Sequence, residues 1–337
     1  MRLSNYILAV SFFIAALFAG CKSDATTSSS VMTGDPEIDA ITAQIAVDPD
    51  NAMLYFERSK KYYDKKSYDN TILDLQKAMM IDSLNPDFYH LLSDAFLDYY
   101  NTKGAMNAMY KVVSLYPDRI PSLLKLSELK YILEDYDGSI LTANEVLRVD
   151  NQNAEAFFML GNNFKALDDE KRAINSYQTA VEMDSGLTDA WLSLGEIYES
   201  KNDPIALTYY ESAIVSNTES MEALHAKAYY LQNNKKIDEA LKIYNQIILT
   251  DKNYTDAFLN SGLLYMELDS MDRAYEQFDI MVGIAPTNYL GFYMRGITLE
   301  KKGRVEDALK DYQSAFALNN KEPKIEEAIR IVKNKIK

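Results

Sequence analysis

Cysteine is almost absent from this sequence: a single one, Cys21, stands among 337 residues. An internal disulfide is therefore excluded, and so is any cluster of thiolate metal ligands. Histidine is nearly as scarce, with only His90 and His225. No H-E-x-x-H, Cys-x-x-Cys, G-x-S-x-G or glycine-rich phosphate loop occurs. Positive charge is also short: 35 Lys and Arg face 50 Asp and Glu, a formal net charge of −15. Such a chain repels phosphate backbones and has no basic stripe to offset the repulsion, which excludes nucleic acid as a partner class. What the chain does have is apolar residues, 47% of the total, enough for a packed core and too many for wholesale disorder.

Those apolar residues follow a long period. From Ala52 onward a small residue recurs every 34 residues, once after 33: Ser59, Ser93, Ser127, Gly161, Gly195, Ala228, Gly262 and Gly296. Four residues ahead of each stands a large apolar one, from Tyr55 and Tyr89 through Trp191 to Phe292. A second small residue follows twelve positions on (eleven in the fifth copy), as at Thr71, Ala105, Ala206 and Ala308. A period of this length signals a solenoid of stacked units. Within the fifth copy Trp191, Leu194, Gly195 and Tyr198 recur at i, i+3, i+4 and i+7, one face of a helix. Ala206, Tyr210 and Ala213 mark a second helix, and the small residues let the two backbones approach. Polar joins such as Lys201-Asn202-Asp203-Pro204 and Lys301-Lys302-Gly303 predict the turns between them.

On these residues the chain resembles the tetratricopeptide repeat (TPR) family. The family pattern is Trp-x2-Leu-Gly-x2-Tyr on a first helix, then Ala, an aromatic and Ala on a second. The fifth copy reads Trp191-Leu192-Ser193-Leu194-Gly195-Glu196-Ile197-Tyr198. The resemblance implies an all-α fold, a right-handed superhelix of helix-turn-helix repeats. Eight copies fall at 52–85, 86–119, 120–153, 154–187, 188–220, 221–254, 255–288 and 289–322, spanning 52–322. A capping helix is expected over 35–51 and another over 323–337, with Ile325, Ile329 and Val332 inward. Arg58, Lys227 and Arg295 stand where the pattern prefers Leu; their stems are expected to cover apolar surface while the charge reaches water. His90 and His225 fall four units apart, some tens of Å, too far to share a metal. No cofactor, metal or catalytic residue is expected.

The N-terminus carries a separate signal. Met1-Arg2 precedes an uncharged, mostly apolar run over 6–18 and then Ala19-Gly20-Cys21. A short apolar segment ending in small residues reads as a secretory signal over 1–20, too short for a stable membrane span. The Cys directly after Ala-Gly resembles a bacterial lipoprotein box, with Phe18 where that box prefers Leu. The resemblance implies that Cys21 is acylated and becomes the first residue, after which the net charge is −16 because Arg2 is lost. A plain signal peptide with an incidental Cys is the alternative. Residues 21–34 then form the lipidated Cys and a small, polar tether, able to reach about 40 Å when extended. Lys22 after the Cys resembles outer-membrane lipoproteins, so an anchor in the outer membrane facing the periplasm is expected, with surface exposure the other option.

In the family, first-helix positions 2, 5, 6, 9, 12 and 13 line a concave groove. Across the copies these positions hold fourteen acids against four lysines, with aromatic and aliphatic residues interleaved. The candidate groove residues are Phe56, Tyr63, Asp94, Tyr131, Phe158, Leu192, Glu196, Tyr229, Leu263 and Tyr293. TPR co-chaperones that hold acidic C-terminal tails use Lys and Asn at fixed first-helix positions. Here Asn162 occupies one of them but Phe158 replaces the Lys, which disfavours that ligand. The expected function is a non-enzymatic scaffold or adaptor, lipid-anchored in the cell envelope, whose groove takes basic or amphipathic segments of envelope proteins. Capture of a glycan or other ligand on the aromatic groove is the alternative.

Overall fold

The computed structural model describes residues 33–336. The signal segment, Cys21 and most of the tether lie outside the described residues. The chain is all-α, a solenoid of paired helices: eighteen helices and no strand among the described residues. Contacts divide it into two compact units, Met1–Leu91 and Leu92–Lys337.

In the first unit α1 (Pro36–Val47) packs on α2 (Ala52–Asp64), which pairs with α3 (Tyr68–Ile81). Helix α4 (Pro86–Asp98) begins there and ends in the second unit. The second unit continues with α5 (Thr102–Leu115) and then pairs α6 (Ile120–Ile132) with α7 (Tyr136–Val149). Next come α8 (Ala154–Ala166) with α9 (Glu170–Met183), and α10 (Thr188–Ser200) with α11 (Ala206–Ser216). Two further pairs follow in the same way: α12 (Met221–Asn233) with α13 (Ile237–Thr250), and α14 (Thr255–Glu267) with α15 (Met271–Ile284). Finally α16 (Tyr289–Lys301) pairs with α17 (Val305–Leu318), on which α18 (Pro323–Ile336) rests with Ile325 and Val332 buried. From α2 to α17, even-numbered helices are the first helices of the repeats and odd-numbered ones the second.

Each first helix ends in the same device. The second residue past it adopts the left-handed conformation: Lys66, Tyr100, Glu134, Asp168, Asn202, Lys235 and Asp269 at φ 54° to 62°, and Gly303 at 77°. The following amide then reaches back to the helix, as in Asp169 N to Phe164 O (2.8 Å) and Arg304 N to Leu299 O (2.9 Å). These bonds satisfy carbonyls that the helix end leaves open. Second helices begin with side-chain caps in several copies, Asp135 Oδ1 accepting from Gly138 N (3.0 Å) and Asp169 Oδ1 from Arg172 N (3.0 Å). The fifth copy, one residue short before Ala206, also has a shorter second helix: α11 has 11 residues where α9 and α13 have 14.

Close approach within each pair depends on two complementary positions. A Cβ on Gly161 would lie 2.5 Å from the Tyr177 ring, and one on Gly195 would lie 2.5 Å from Tyr210. Gly262 against Phe278 and Gly296 against Tyr312 repeat the contact. The aromatic is fully buried each time. Where the eighth position is Ser, as at Ser59, Ser93 and Ser127, the twenty-fourth is smaller: Leu75, Met109 and Ala143. The helix face read from Trp191, Leu194, Gly195 and Tyr198 proves too narrow. Ala190 and Ile197, at positions 3 and 10, are buried as well, because α10 packs between α9 and α11.

The long cations at position 7 behave differently from expectation. Arg58 does not send its charge to water; Nε and Nη2 both donate to Asp74 at 2.7 Å, and Nη1 donates to Thr42. Arg295 makes the same fork on Asp311 and adds Asp279 at 2.6 Å. In both copies the Asp stands sixteen residues beyond the Arg, at the twenty-third position of the same repeat. A half-buried guanidinium needs such a planar, bidentate partner. Lys227 is closer to expectation, reaching the exposed Glu211 at 2.9 Å.

Candidate functional site

All ten candidate groove residues fall on first helices, distributed from α2 to α16. Phe56 and Tyr63 lie on α2 of the first unit, and the other eight are spread over seven first helices of the second, so they do not converge on one point. Neighbouring first helices also touch each other, α6 with α8, α10 with α12, and α12 with α14. Most candidates are half-buried because one side of each ring or chain rests on the core. Phe56 packs on Phe88 (5.0 Å between centroids), Tyr63 on Tyr68 (5.9 Å) and Tyr131 on Tyr136 (5.7 Å). Phe158 lies against Tyr177 and Tyr293 against Tyr312, both at 5.8 Å. Leu192 packs beside Tyr210 and Tyr230, Leu263 is half-buried, and Tyr229 is exposed beside His225.

Much of the acidic charge on this face is already engaged. Asp94 pairs with Lys125 at 2.6 Å and Glu196 with Lys165 at 2.7 Å, each across adjacent repeats. Glu57 pairs with Lys60 and Glu267 with Lys235. Two more acids accept from core tyrosines whose hydroxyls emerge here: Tyr210 Oη to Glu199 (2.6 Å) and Tyr312 Oη to Glu300 (2.8 Å). Burial pushes both phenols far above their ordinary range, and the adjoining carboxylates add to the shift. Burial alone would raise Glu300 as well, but Lys335 and Tyr312 donate to it and hold it below the usual carboxylate range. Sequence reading treats Glu199 and Glu300 as solvated acids. The readable sign is that an acid at position 12 occurs only in two of the four copies with Tyr at position 24; the other two have Lys165 and Gln232 there.

Between α6 and α8 the face opens into a cleft of about 870 Å³, closed at one end by the loops that lead into α8 and α10. Its walls are Leu124, Phe158, Met159 and Leu187, and its rim carries Glu128, Glu155, Asp150 and Asp184. Phe158 is the one candidate residue within it. Among the described residues no group of three or more His, Cys, Asp or Glu is placed to hold a metal ion, and no helix is long and apolar enough to cross a membrane.

The model for the tetratricopeptide repeat matches residues 154–186, which hold α8 and α9. A TPR repeat-containing protein of Methanocaldococcus jannaschii is 24% identical over 262 residues, covering 76% of this chain and 41% of its own length. The chain carries a tetratricopeptide repeat and is related to TPR-repeat proteins. A BBSome complex member from Bos taurus is 23% identical over 48% of this chain and 30% of its own length. This TPR chain thus spans less than half the length of the curated relatives it matches. The C-terminal part of a TPR repeat-containing protein from Cytophaga hutchinsonii has the same fold (TM-score 0.56, 15% identity, 71% of this chain and 99% of that one). TPR-repeat proteins are typically non-catalytic scaffolds.

As a TPR surface this one has two local peculiarities. Asn162, at a position that some TPR proteins use for a ligand carboxylate, is turned to the core; its Oδ1 accepts from Tyr177 Oη at 2.7 Å. His225, at the fifth position of α12, sits among Tyr229, Tyr244 and Tyr254, with ring centroids 5.8 to 6.3 Å away. Asn260 Nδ2 on α14 donates to its Nε2 at 3.0 Å, which requires a neutral ring with the proton on Nδ1. Burial pushes the imidazole below its ordinary range, against the pull of Asp256.

The unfolded chain therefore takes up a proton near pH 6.5 that the folded chain refuses. Stability from this group is full above that pH and is lost as pH falls through the depressed folded value. The wild-type thermal midpoint should drop by a few degrees more between pH 7.5 and about pH 5 than that of His225→Leu, which has the residue found at this position in Leu124 and Leu192. Parallel midpoint-against-pH curves for the two proteins would remove His225 from the account.

Proposed function

We propose that this chain is a non-enzymatic adaptor that binds segments of other proteins along its first-helix face. The observation that supports it best is the set of apolar and aromatic side chains at the fifth position in the second unit, Leu124, Phe158, Leu192, Leu259 and Tyr293, left partly open on first helices and interrupted only by His225. Half-open apolar side chains on a rigid scaffold, spaced by charged ones, suit a bound peptide better than a small reactant. The acids among them suit a basic or amphipathic segment. The relative in Bos taurus is named as a member of a complex, in keeping with this reading. From the signal-like segment and Cys21 we infer an acyl anchor in a bacterial outer membrane, with the repeats held in the periplasm on the tether.

The test uses cells expressing the full chain with a C-terminal tag, crosslinked and purified from solubilised membranes. Envelope proteins should be recovered with the wild type and lost from the variant Phe158→Ser/Leu192→Ser/Tyr229→Ser. Cys21→Ser should leave the membrane pellet for the soluble fraction after a high-salt wash. The same proteins recovered with the triple variant would reject the first-helix face as the docking site. Retention of the Cys21 variant in the pellet would reject the anchor. Saturable binding to an oligosaccharide panel, with no protein partner, would transfer the reading to glycan capture.

A further inference from the structure

Charge on the first-helix face is not evenly available. Glu57, Asp94, Glu196 and Glu267 are matched by lysines, and Glu199 and Glu300 by tyrosine hydroxyls. Among the described residues Asp64, Asp189 and Asp256 are unpaired as well but line no cleft, whereas the cleft between α6 and α8 brings unpaired acids beside apolar walls. Its one cation, Lys125, is engaged by Asp94 at 2.6 Å. Asp150 and Asp184 turn one oxygen each to the backbone amides of Gln152 (3.1 Å) and Gly186 (2.8 Å). Glu128 and Glu155 are exposed and have neither an ion-pair partner nor a hydrogen-bond partner among the described residues.

These two glutamates flank the apolar part of the cleft from opposite walls. Leu124 and Glu128 are four residues apart on α6, and Glu155 and Phe158 three apart on α8, so each wall presents one apolar and one acidic side chain on the same helix face. Glu155 also lies in the first turn of α8, where the helix dipole favours an acid. Glu128 is in mid-helix and has no such role. A cleft of about 870 Å³ holds the volume of roughly 30 waters, room for several side chains of a peptide.

We propose that this cleft is the specificity-determining subsite of the adaptor surface: it selects a peptide segment in which an apolar anchor is flanked by two cations. The anchor enters between Leu124 and Phe158, and the flanking Lys or Arg residues meet Glu128 and Glu155. The inference rests on the adaptor reading and narrows it to one place and one partner chemistry. Apolar contact supplies residence time, while the uncompensated carboxylates reject acidic segments and steer basic ones.

The experiment uses the full chain in detergent solution and three fluorescein-labelled ten-residue peptides. One has a central pair of leucines flanked by lysines, the second has glutamates for the lysines, and the third has serines for the leucines. Binding is followed by fluorescence anisotropy for the wild type, for Glu128→Gln/Glu155→Gln, and for Asp137→Asn/Glu145→Gln. The last has the same change in net charge on two exposed residues of α7, outside the cleft. Melting curves establish that both variants are folded.

The wild type should bind the lysine–leucine peptide and neither of the others. The cleft variant should lose at least tenfold in affinity, more at low salt than at high salt, and the α7 variant less than twofold. An equal loss in both variants, no loss in the cleft variant, or no binding of the lysine–leucine peptide by the wild type would each overturn the proposal. If the proposal fails while the Phe158, Leu192 and Tyr229 variant still loses its partners in cells, the adaptor reading stands and only the cation selection falls.

Discussion

Replacing Asp311 with alanine is expected to destabilise the second unit by roughly 3 kcal/mol, the low end of the range for breaking a buried ion pair. Asp311 is nearly buried, and both its oxygens accept from Arg295 at 2.7 Å. Removing it strands a guanidinium whose side chain is only 18% exposed. The second partner, Asp279, stays in place at 2.6 Å and is half exposed, which keeps the loss from reaching the upper end of the range. Arg295→Leu/Asp311→Ala should recover most of the stability, because the second repeat holds the same place with Leu92 and Ala108. Uncharged packing of similar volume is often as good as a buried pair. Urea midpoints followed by helical circular dichroism would decide the matter. An Asp311→Ala chain within about 1 kcal/mol of wild type, a surface-pair value, would show that the pair is solvated and the geometry misread.

The same pair marks where sequence reading reached its limit. The helices were legible because their signal is local: Trp191 to Tyr198 repeats at helical spacing, and the copies reinforce one another in phase. Arg58 and Arg295 look like snorkelling cations when a single position is set against the family pattern. Their partners Asp74 and Asp311 lie on another helix, sixteen residues on, and only these two repeats combine Arg at position 7 with Asp at position 23. That joint occurrence was the readable sign. The groove positions were likewise legible as a helix face, but their charge state was not. Whether Asp94 or Glu128 is free depends on which lysine of a neighbouring repeat reaches it, a matter of rotamer and repeat packing that no spacing rule carries. The cleft, too, is a property of two packed repeats and the loops into α8 and α10.

Exchanging the sizes of the eighth and twenty-fourth positions should show strong coupling in the fourth repeat. Gly161→Ser puts a Cβ 2.5 Å from the Tyr177 ring, a contact that one of the two helices has to relieve by moving. Overpacking of this kind costs about 1–3 kcal/mol. The better helix propensity of Ser over Gly returns only about 0.5 kcal/mol, so the net effect is destabilising. Tyr177→Leu alone leaves a cavity and orphans the bond from Tyr177 Oη to Asn162 Oδ1 (2.7 Å), a loss of about 2 kcal/mol or more. Made together, the changes install the Ser59 and Leu75 combination of the first repeat, in which the smaller aliphatic chain leaves room for the serine. The double variant should therefore lose about 1–2 kcal/mol less than the sum of the single losses. Denaturation midpoints of the four proteins complete the cycle. Losses that add within about 0.5 kcal/mol would mean that the two positions do not share a contact, and that the small residue at position 8 is set by something other than the ring facing it.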